Sequence, residues 1–277
     1  MLNISQDYLE NINNSNVLQY FGKWTENVDI LKENFINAKP FEHVVIDNFL
    51  NDEYIEKMHQ EFPSDYTNWH KYCNPLEYKY SNNNIDLLQP IIKNVYYYLS
   101  SNEMLSIFKK FTNIDNLEYD EYMHGAGLHV YPSKGKLNVH LDYEKHPFSG
   151  KERRLNIILF MNKNWNDEWN GANELWDEEL KNCIVETKVK FNRAIIFKTN
   201  DKSYHGVPKE IACPLHKYRK TLAYYYVSPL TNVKKHEYRS KAVFKKLYYD
   251  EYNSNMEKLY KIRKERLITN DDLNSFI

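Results

Sequence analysis

A chain of 277 residues with 37 basic and 38 acidic side chains has a net charge of −1 and no global field drawing it to nucleic acid or an anionic membrane. Seven glycines against 24 tyrosines and 13 phenylalanines exclude a disordered chain and a glycine-rich nucleotide fold. Hydrophobic and charged fractions of 42% and 27% are those of a globular protein, and the length fits one large domain with extensions.

Residues 1–40 carry Val17, Leu18, Phe21, Ile30, Leu31 and Phe35 at helical spacing and read as a helical leader. A strand begins at Phe41 and runs to Asp47. A helix follows with Asn51 as N-cap, an apolar face of Tyr54, Ile55, Met58 and Phe62, and Pro63 as its stop. Further helices are predicted over Pro90–Leu99 and Asn102–Phe111. From Leu128 the texture turns to short strands: Leu128–Tyr131, Asn138–Tyr143, Arg154–Met161, Asn173–Trp176, Arg193–Phe197 and Thr221–Val227. This spacing predicts a mainly β protein with flanking helices and a jelly-roll core. The expected organisation is a leader (1–40), a main domain (41–230) and a helical, basic extension (231–277).

The N-terminus lacks the basic start and apolar core of a signal peptide, and no apolar run approaches the ~18 residues of a membrane span. Cys73, Cys183 and Cys213 are scattered, odd in number and without metal-type spacing. The expected location is the reducing cytoplasm, away from membranes.

Residues two apart on a strand share a face, so His140 and Asp142 can reach one metal from one side while Leu141 packs behind. His205 lies where the chain should return towards that pair, after the strand Arg193–Phe197 and a turn, and Gly206 lets the backbone pass close by. Two histidines and a carboxylate on one face of a metal are the ligand set of non-haem Fe(II) oxygenases. A zinc hydrolase accepts the same set, but no H-E-x-x-H helix accompanies it here. Arg219 opens a strand, and its guanidinium fork suits a carboxylate such as that of 2-oxoglutarate. Thr221, on the same strand face, can add a hydroxyl, whereas Lys220 points the other way. His146 is weighed as a ligand because it could share the face of His140, although Pro147 ends that strand. His216 reads as a loop residue.

Taken in order, Tyr131-x3-Gly135-x4-His140-x-Asp142, Arg153–Asn162, Trp165, Gly171-x2-Glu174-Leu175, Phe191-Asn192-Arg193, His205-Gly206 and Arg219-x-Thr221 make a block from about Gly125 to Ser228. The block resembles the Fe(II)/2-oxoglutarate-dependent dioxygenases of the prolyl 4-hydroxylase type. The opening from Phe41 to Phe62 is similar to that of bacterial and phage-encoded members. The resemblance implies a double-stranded β-helix (jelly-roll) fold, with residues 41–230 as the dioxygenase domain. It implies Fe(II) held by His140, Asp142 and His205, and 2-oxoglutarate paired with Arg219, assisted by Thr221, with Tyr131 near the co-substrate. Ascorbate is an accessory cofactor it admits. The implied reaction couples decarboxylation of 2-oxoglutarate, giving succinate and CO2, to hydroxylation of a substrate C–H. The substrate it implies is a prolyl or other amino-acid residue of a peptide, or a small metabolite.

The chain departs from the family pattern at Phe160, where a tyrosine is common, and at Gly171-Ala172, where a Gly-Gly pair is usual. Asp142 is intact, which argues against a halogenase. Glu144, His146, Arg153 and Arg154 lie close in sequence to the metal pair and suit a polar substrate, and Trp165, Trp169 and Trp176 suit either a lid or ordinary packing. Two alternatives stand beside the enzyme: a non-catalytic jelly-roll module that binds a ligand, and a nucleic-acid demethylase. The second usually carries another arginine six residues after the first, where this chain has Tyr225. The basic residues of the tail, interspersed with glutamates, read as a solvated helix face.

Overall fold

Short runs of β-branched and aromatic residues between turn-forming positions cut the chain into thirteen strands among the residues described in the computed structural model, which are Ile12, 16–231 and 237–274. In chain order these are β1 (His43–Ile46), β2 (His70–Asn74), β3 (Glu77–Asn82), β4 (Glu118–Tyr119), β5 (Gly127–Tyr131), β6 (Lys136–Leu141) and β7 (Glu152–Phe160). They continue with β8 (Asn173–Trp176), β9 (Cys183–Thr187), β10 (Ala194–Lys198), β11 (His205–Val207), β12 (Arg219–Ser228) and β13 (Val243–Phe244). Pairing is antiparallel in the order β1-β10-β7-β12-β5-β3-β6-β11-β8-β9, with β2 added to β3, β4 to β12 and β13 to β6. Strand β3 joins the two halves: Tyr80 to Asn82 pair with β5, whereas Glu77 and Tyr78 pair with β6. The sheet folds back on itself as the expected jelly roll.

Strand β12 shows why the fold makes a cavity. Its even-numbered residues Leu222, Tyr224 and Tyr226 turn outward onto the helices Pro90–Leu99 and Asn102–Thr112, and its odd-numbered residues Arg219, Thr221, Ala223 and Tyr225 turn inward. Burying two tyrosine hydroxyls requires partners. Ser100 donates to the Tyr96 carbonyl (2.8 Å), so the Tyr224 hydroxyl donates to Ser100 Oγ (2.6 Å), and Tyr226 donates to the Leu99 carbonyl (2.6 Å).

The helices follow their capping residues. Asn51 accepts from the Tyr54 amide (2.7 Å) at the start of Asp52–Gln60, and Ser101 accepts from Met104 (3.2 Å) at the start of Asn102–Thr112. The latter runs to Thr112, one residue beyond the predicted limit, and is closed by Asn113 in the left-handed region. The described part of the leader comprises two 3-10 turns, Val17–Tyr20 and Lys23–Glu26, and the helix Val28–Asn37, which packs Phe35 on Phe111 (centroids 5.6 Å). Ile30, expected on its apolar face, is exposed. Residues 1–11 and 13–15 of the predicted leader lie outside the described residues.

The C-terminal segment packs against the core. Helix Ser254–Glu265 buries Arg263, whose Nε donates to Glu77 Oε1 at 2.7 Å, and β13 places Phe244 opposite His140. Arg263 is therefore no part of a solvated basic face, as the sequence had suggested. Arg263→Met should lower stability by about 3–5 kcal/mol, because it leaves Glu77 charged and unpaired in the interior. Pairing it with Glu77→Leu should return most of that loss in denaturant unfolding; a neutral single variant would contradict the buried pair. No helix among the described residues is long and apolar enough to cross a membrane.

Candidate active site

His140 is the penultimate residue of β6, and His205 opens β11 directly opposite it. Gly206 permits this approach: a Cβ there would stand 2.7 Å from the Leu137 carbonyl oxygen. Each imidazole is oriented from behind. The Nδ1–H of His140 donates to the Asn138 carbonyl (2.9 Å) and that of His205 to the Ser203 carbonyl (2.8 Å), so both Nε2 atoms present lone pairs. Asp142 follows just beyond β6, with its oxygens 3.5 Å from His140 Nε2 and 3.4 Å from His205 Nε2. One ligand atom from each residue fits within 4.8 Å, a spacing that suits a single ion. Phe244 stacks on the His140 ring (5.0 Å) and Phe197 packs on His205 (4.6 Å), giving the set an apolar backing.

Burial alone would raise the Asp142 carboxyl, but Arg153, with His205 and His140, outweighs it and holds the group well below the usual carboxylate range. Arg153 Nη2 lies 3.2 Å from Asp142 Oδ2, its Nε donates to Asn156 Oδ1 (2.8 Å), and Asn156 Nδ2 donates back to Asp142 Oδ2 (2.7 Å). The guanidinium lies 3.4 Å from the Tyr225 ring centroid and 4.7 Å from that of Tyr143. Arg153 therefore orients the carboxylate, and Tyr225 supports the arginine. Arg153→Met should weaken metal binding 10–100-fold, about the usual effect of losing such a partner, as read by chelator competition. Unchanged metal affinity would remove Arg153 from this role.

Burial depresses His205 to about 4, which favours the neutral ring a metal requires. Two further cavity histidines behave alike: burial, then His146 and Arg153, take His124 to about 4, and burial, then Lys79, hold His129 well below its usual value. Below about pH 6.5 the unfolded chain takes up protons these folded rings refuse, so stability falls as pH falls. The metal-free protein should lose melting temperature steadily from about pH 6.5 to 4, and His129→Gln should flatten that slope. A flat wild-type profile over that window would contradict the burial of these rings.

A cavity of about 430 Å³ opens in front of the triad, and Arg219, Thr221 and Tyr131 also line it. Arg219 is almost wholly buried, and its ring-stacked guanidinium lies 4.9 Å from the Tyr131 centroid and 5.0 Å from that of Phe160. Its Nε donates to the Gly171 carbonyl at 2.5 Å, while Nη2 is buried with no hydrogen-bond partner among the described residues. Burial lowers it only to about 10, so it stays a cation at neutral pH. An orphaned, buried guanidinium nitrogen is a site awaiting an anion. Gly171 (φ +92°) makes room for it, since a Cβ there would meet Arg219 Cδ at 3.1 Å. Thr221 faces the same way, and burial pushes the Tyr131 phenol up to about 12, so it stays protonated.

Other sequence candidates fall elsewhere. His146 is no triad member: its Nδ1 accepts from the amides of Phe148 and Ser149, and its Nε2 faces Asp120 at 3.2 Å. Arg154 turns away towards Ser228 and Glu152, and Glu144 lies beside Arg239. The tryptophans do not line the cavity: Trp165 and Trp169 pack edge to face near Tyr131, Ile211 and Cys213, and Trp176 packs with Val139 and Leu180. His216 sits in an exposed turn, as read. Sequence reasoning missed Asn156, Asn173, His129, Lys79 and Phe244, all on the cavity wall.

Residues 126–227 match the family model described as "2OG-Fe(II) oxygenase superfamily". The fold is similar to that of a prolyl hydroxylase from Trichoplax adhaerens solved with a hypoxia inducible factor peptide fragment. The identity is 16%, over 76% of this chain and 96% of that one, with a TM-score of 0.53. A prolyl-4-hydroxylase from Pseudomonas putida is similar over 73% of this chain and all of its own, at 10% identity and a TM-score of 0.53. No curated protein matches the chain by sequence. The matched segment, less than half of the chain, contains the triad, Arg219 and Thr221, and over these residues, on a jelly-roll fold, the chain matches the 2OG-Fe(II) oxygenase superfamily.

Proposed function

We propose that His140, Asp142 and His205 hold the Fe(II), that Arg219 takes the distal carboxylate of 2-oxoglutarate with Thr221 beside it, and that Tyr131 walls the co-substrate end of the cavity. The observation that carries the reading is the unpartnered Nη2 of a buried, charged Arg219 on the cavity shared with the triad. When bound, iron and 2-oxoglutarate supply the oxidising chemistry, releasing succinate and CO2 as a substrate C–H is hydroxylated. The protein's part is positional. Asn138 and Ser203 fix the imidazoles, Arg153 and Asn156 fix the carboxylate, and the apolar wall of Phe197 and Phe244 limits water at the ligands. The substrate class the fold favours is an amino-acid residue of a peptide, a prolyl residue included, or a small metabolite of similar size. The peptide bound to the Trichoplax hydroxylase supports the first of these.

Tyr225 supports Arg153 where demethylases usually place their second arginine, and this argues against that alternative. The intact triad beside an anion-ready Arg219 favours an enzyme over a silent binding module. Anaerobically purified protein given Fe(II), O2 and 2-oxoglutarate should release succinate slowly without substrate and faster with it. No succinate from a fully metallated protein across a peptide and metabolite panel would sink the proposal.

A further inference from the structure

Resting on the oxygenase reading, we infer that Lys79 is the anchor for an anionic group, a carboxylate, sulfate or phosphate, on the substrate that is oxidised. Lys79 sits in the middle of β3, 9% exposed, with Glu77 and Ser81 beside it on the cavity wall. The stem of Lys79 is packed away while its ammonium opens on the cavity, and no carboxylate or hydrogen-bond acceptor among the described residues meets it. Its contact is the Tyr72 ring, 5.1 Å from Nζ, a weak substitute for an anion.

The other charges of the cavity are already used. Glu77 is bound to Arg263, Asp142 faces Arg153 and the two histidines, and Arg266 pairs with Asp272. Arg219 belongs to the co-substrate. What remains is Lys79 and, from the C-terminal segment, Lys241; among the described residues no acidic side chain lining the cavity is left to balance them. A neutral substrate filling the cavity would strip solvent from the Lys79 ammonium without compensation, whereas an anionic one is drawn in and oriented.

The co-substrate is a poorer occupant. Its two carboxylates are matched by Arg219 and the metal. Strand register sets Lys79 near the row of Tyr131 and Arg219, so its assignment to the oxidised substrate rests on both carboxylates of the co-substrate being already matched.

The test uses full-length protein loaded anaerobically with Fe(II) and saturating 2-oxoglutarate, with inorganic sulfate as the probe. Acetylation of individual lysines is followed by mass spectrometry, and sulfate binding by calorimetry in wild type and Lys79→Met. Sulfate should slow acetylation of Lys79 saturably, by about tenfold at high occupancy, and leave exposed Lys188 unchanged; Lys79→Met should lose the calorimetric signal. Absence of sulfate binding, or equal binding by Lys79→Met, overturns the inference. Protection of Lys79 by 2-oxoglutarate with no further effect of sulfate also overturns it, by giving the lysine to the co-substrate. Loading itself is read from the absorbance of the iron–2-oxoglutarate chelate. Sulfate protection of Lys79 in protein that forms no chelate would retain the anion site and reject the oxygenase reading.

Discussion

His205→Ala is expected to lower succinate formation by on the order of a thousandfold while leaving the fold intact. The sign follows from geometry: His205 contributes one of only two imidazoles and lies directly across from the other. Its loss leaves a two-ligand site with an open side, and several kcal/mol of charge stabilisation by the metal goes with it, at about 1.4 kcal/mol per decade of rate. The ring is held at its back by Ser203 and packed on Phe197, so the substitution also opens a small cavity. His205→Gln, which keeps much of the volume, separates the two effects. It should restore melting temperature and leave turnover low. Recovery of turnover by the glutamine variant would mean that His205 is a packing residue.

Arg219→Leu should raise the 2-oxoglutarate requirement by about a hundredfold to a thousandfold with metal affinity little changed. Removing one partner of a buried, hydrogen-bonded charge pair costs about 2–5 kcal/mol. Here the free protein already bears the cost of an unpartnered Nη2, so binding an anion relieves it. Arg219→Lys should recover only part of the affinity, because an ammonium cannot donate to Gly171 and grip a carboxylate as a fork does. The check is a 2-oxoglutarate saturation curve at fixed Fe(II). A KM within about twofold of wild type in Arg219→Leu would move the co-substrate elsewhere in the cavity.

Much of this site was legible in the chain. The two-residue spacing of His140 and Asp142 survives as a shared face, and the odd-numbered residues of β12 put Arg219 and Thr221 on one wall. The start of the helix after β1 followed from Asn51, whose capping effect is local. The hairpin β2–β3 was not legible, for a physical reason. Its inward residues Glu77, Lys79 and Ser81 are polar because they line the site cavity, and its other face carries Tyr78 and Tyr80. A strand lining a site inverts the usual apolar-in pattern. Strand β13 has two residues, too few to carry a period, so the contact of Phe244 with His140 had no signature. Arg153 was read as a substrate contact because its nearness to the metal pair was visible, whereas its bond to Asp142 depends on the neighbouring strand.

The central claim is that one cavity binds Fe(II) through His140, Asp142 and His205 and 2-oxoglutarate through Arg219. Its most direct test is anaerobic titration of the Fe(II)-loaded protein with 2-oxoglutarate, followed by the visible charge-transfer band of the chelate. The account predicts a saturable band in wild type, none in His205→Ala, and a band needing far more 2-oxoglutarate in Arg219→Leu. Full iron uptake by wild type with no band at any 2-oxoglutarate concentration would contradict it.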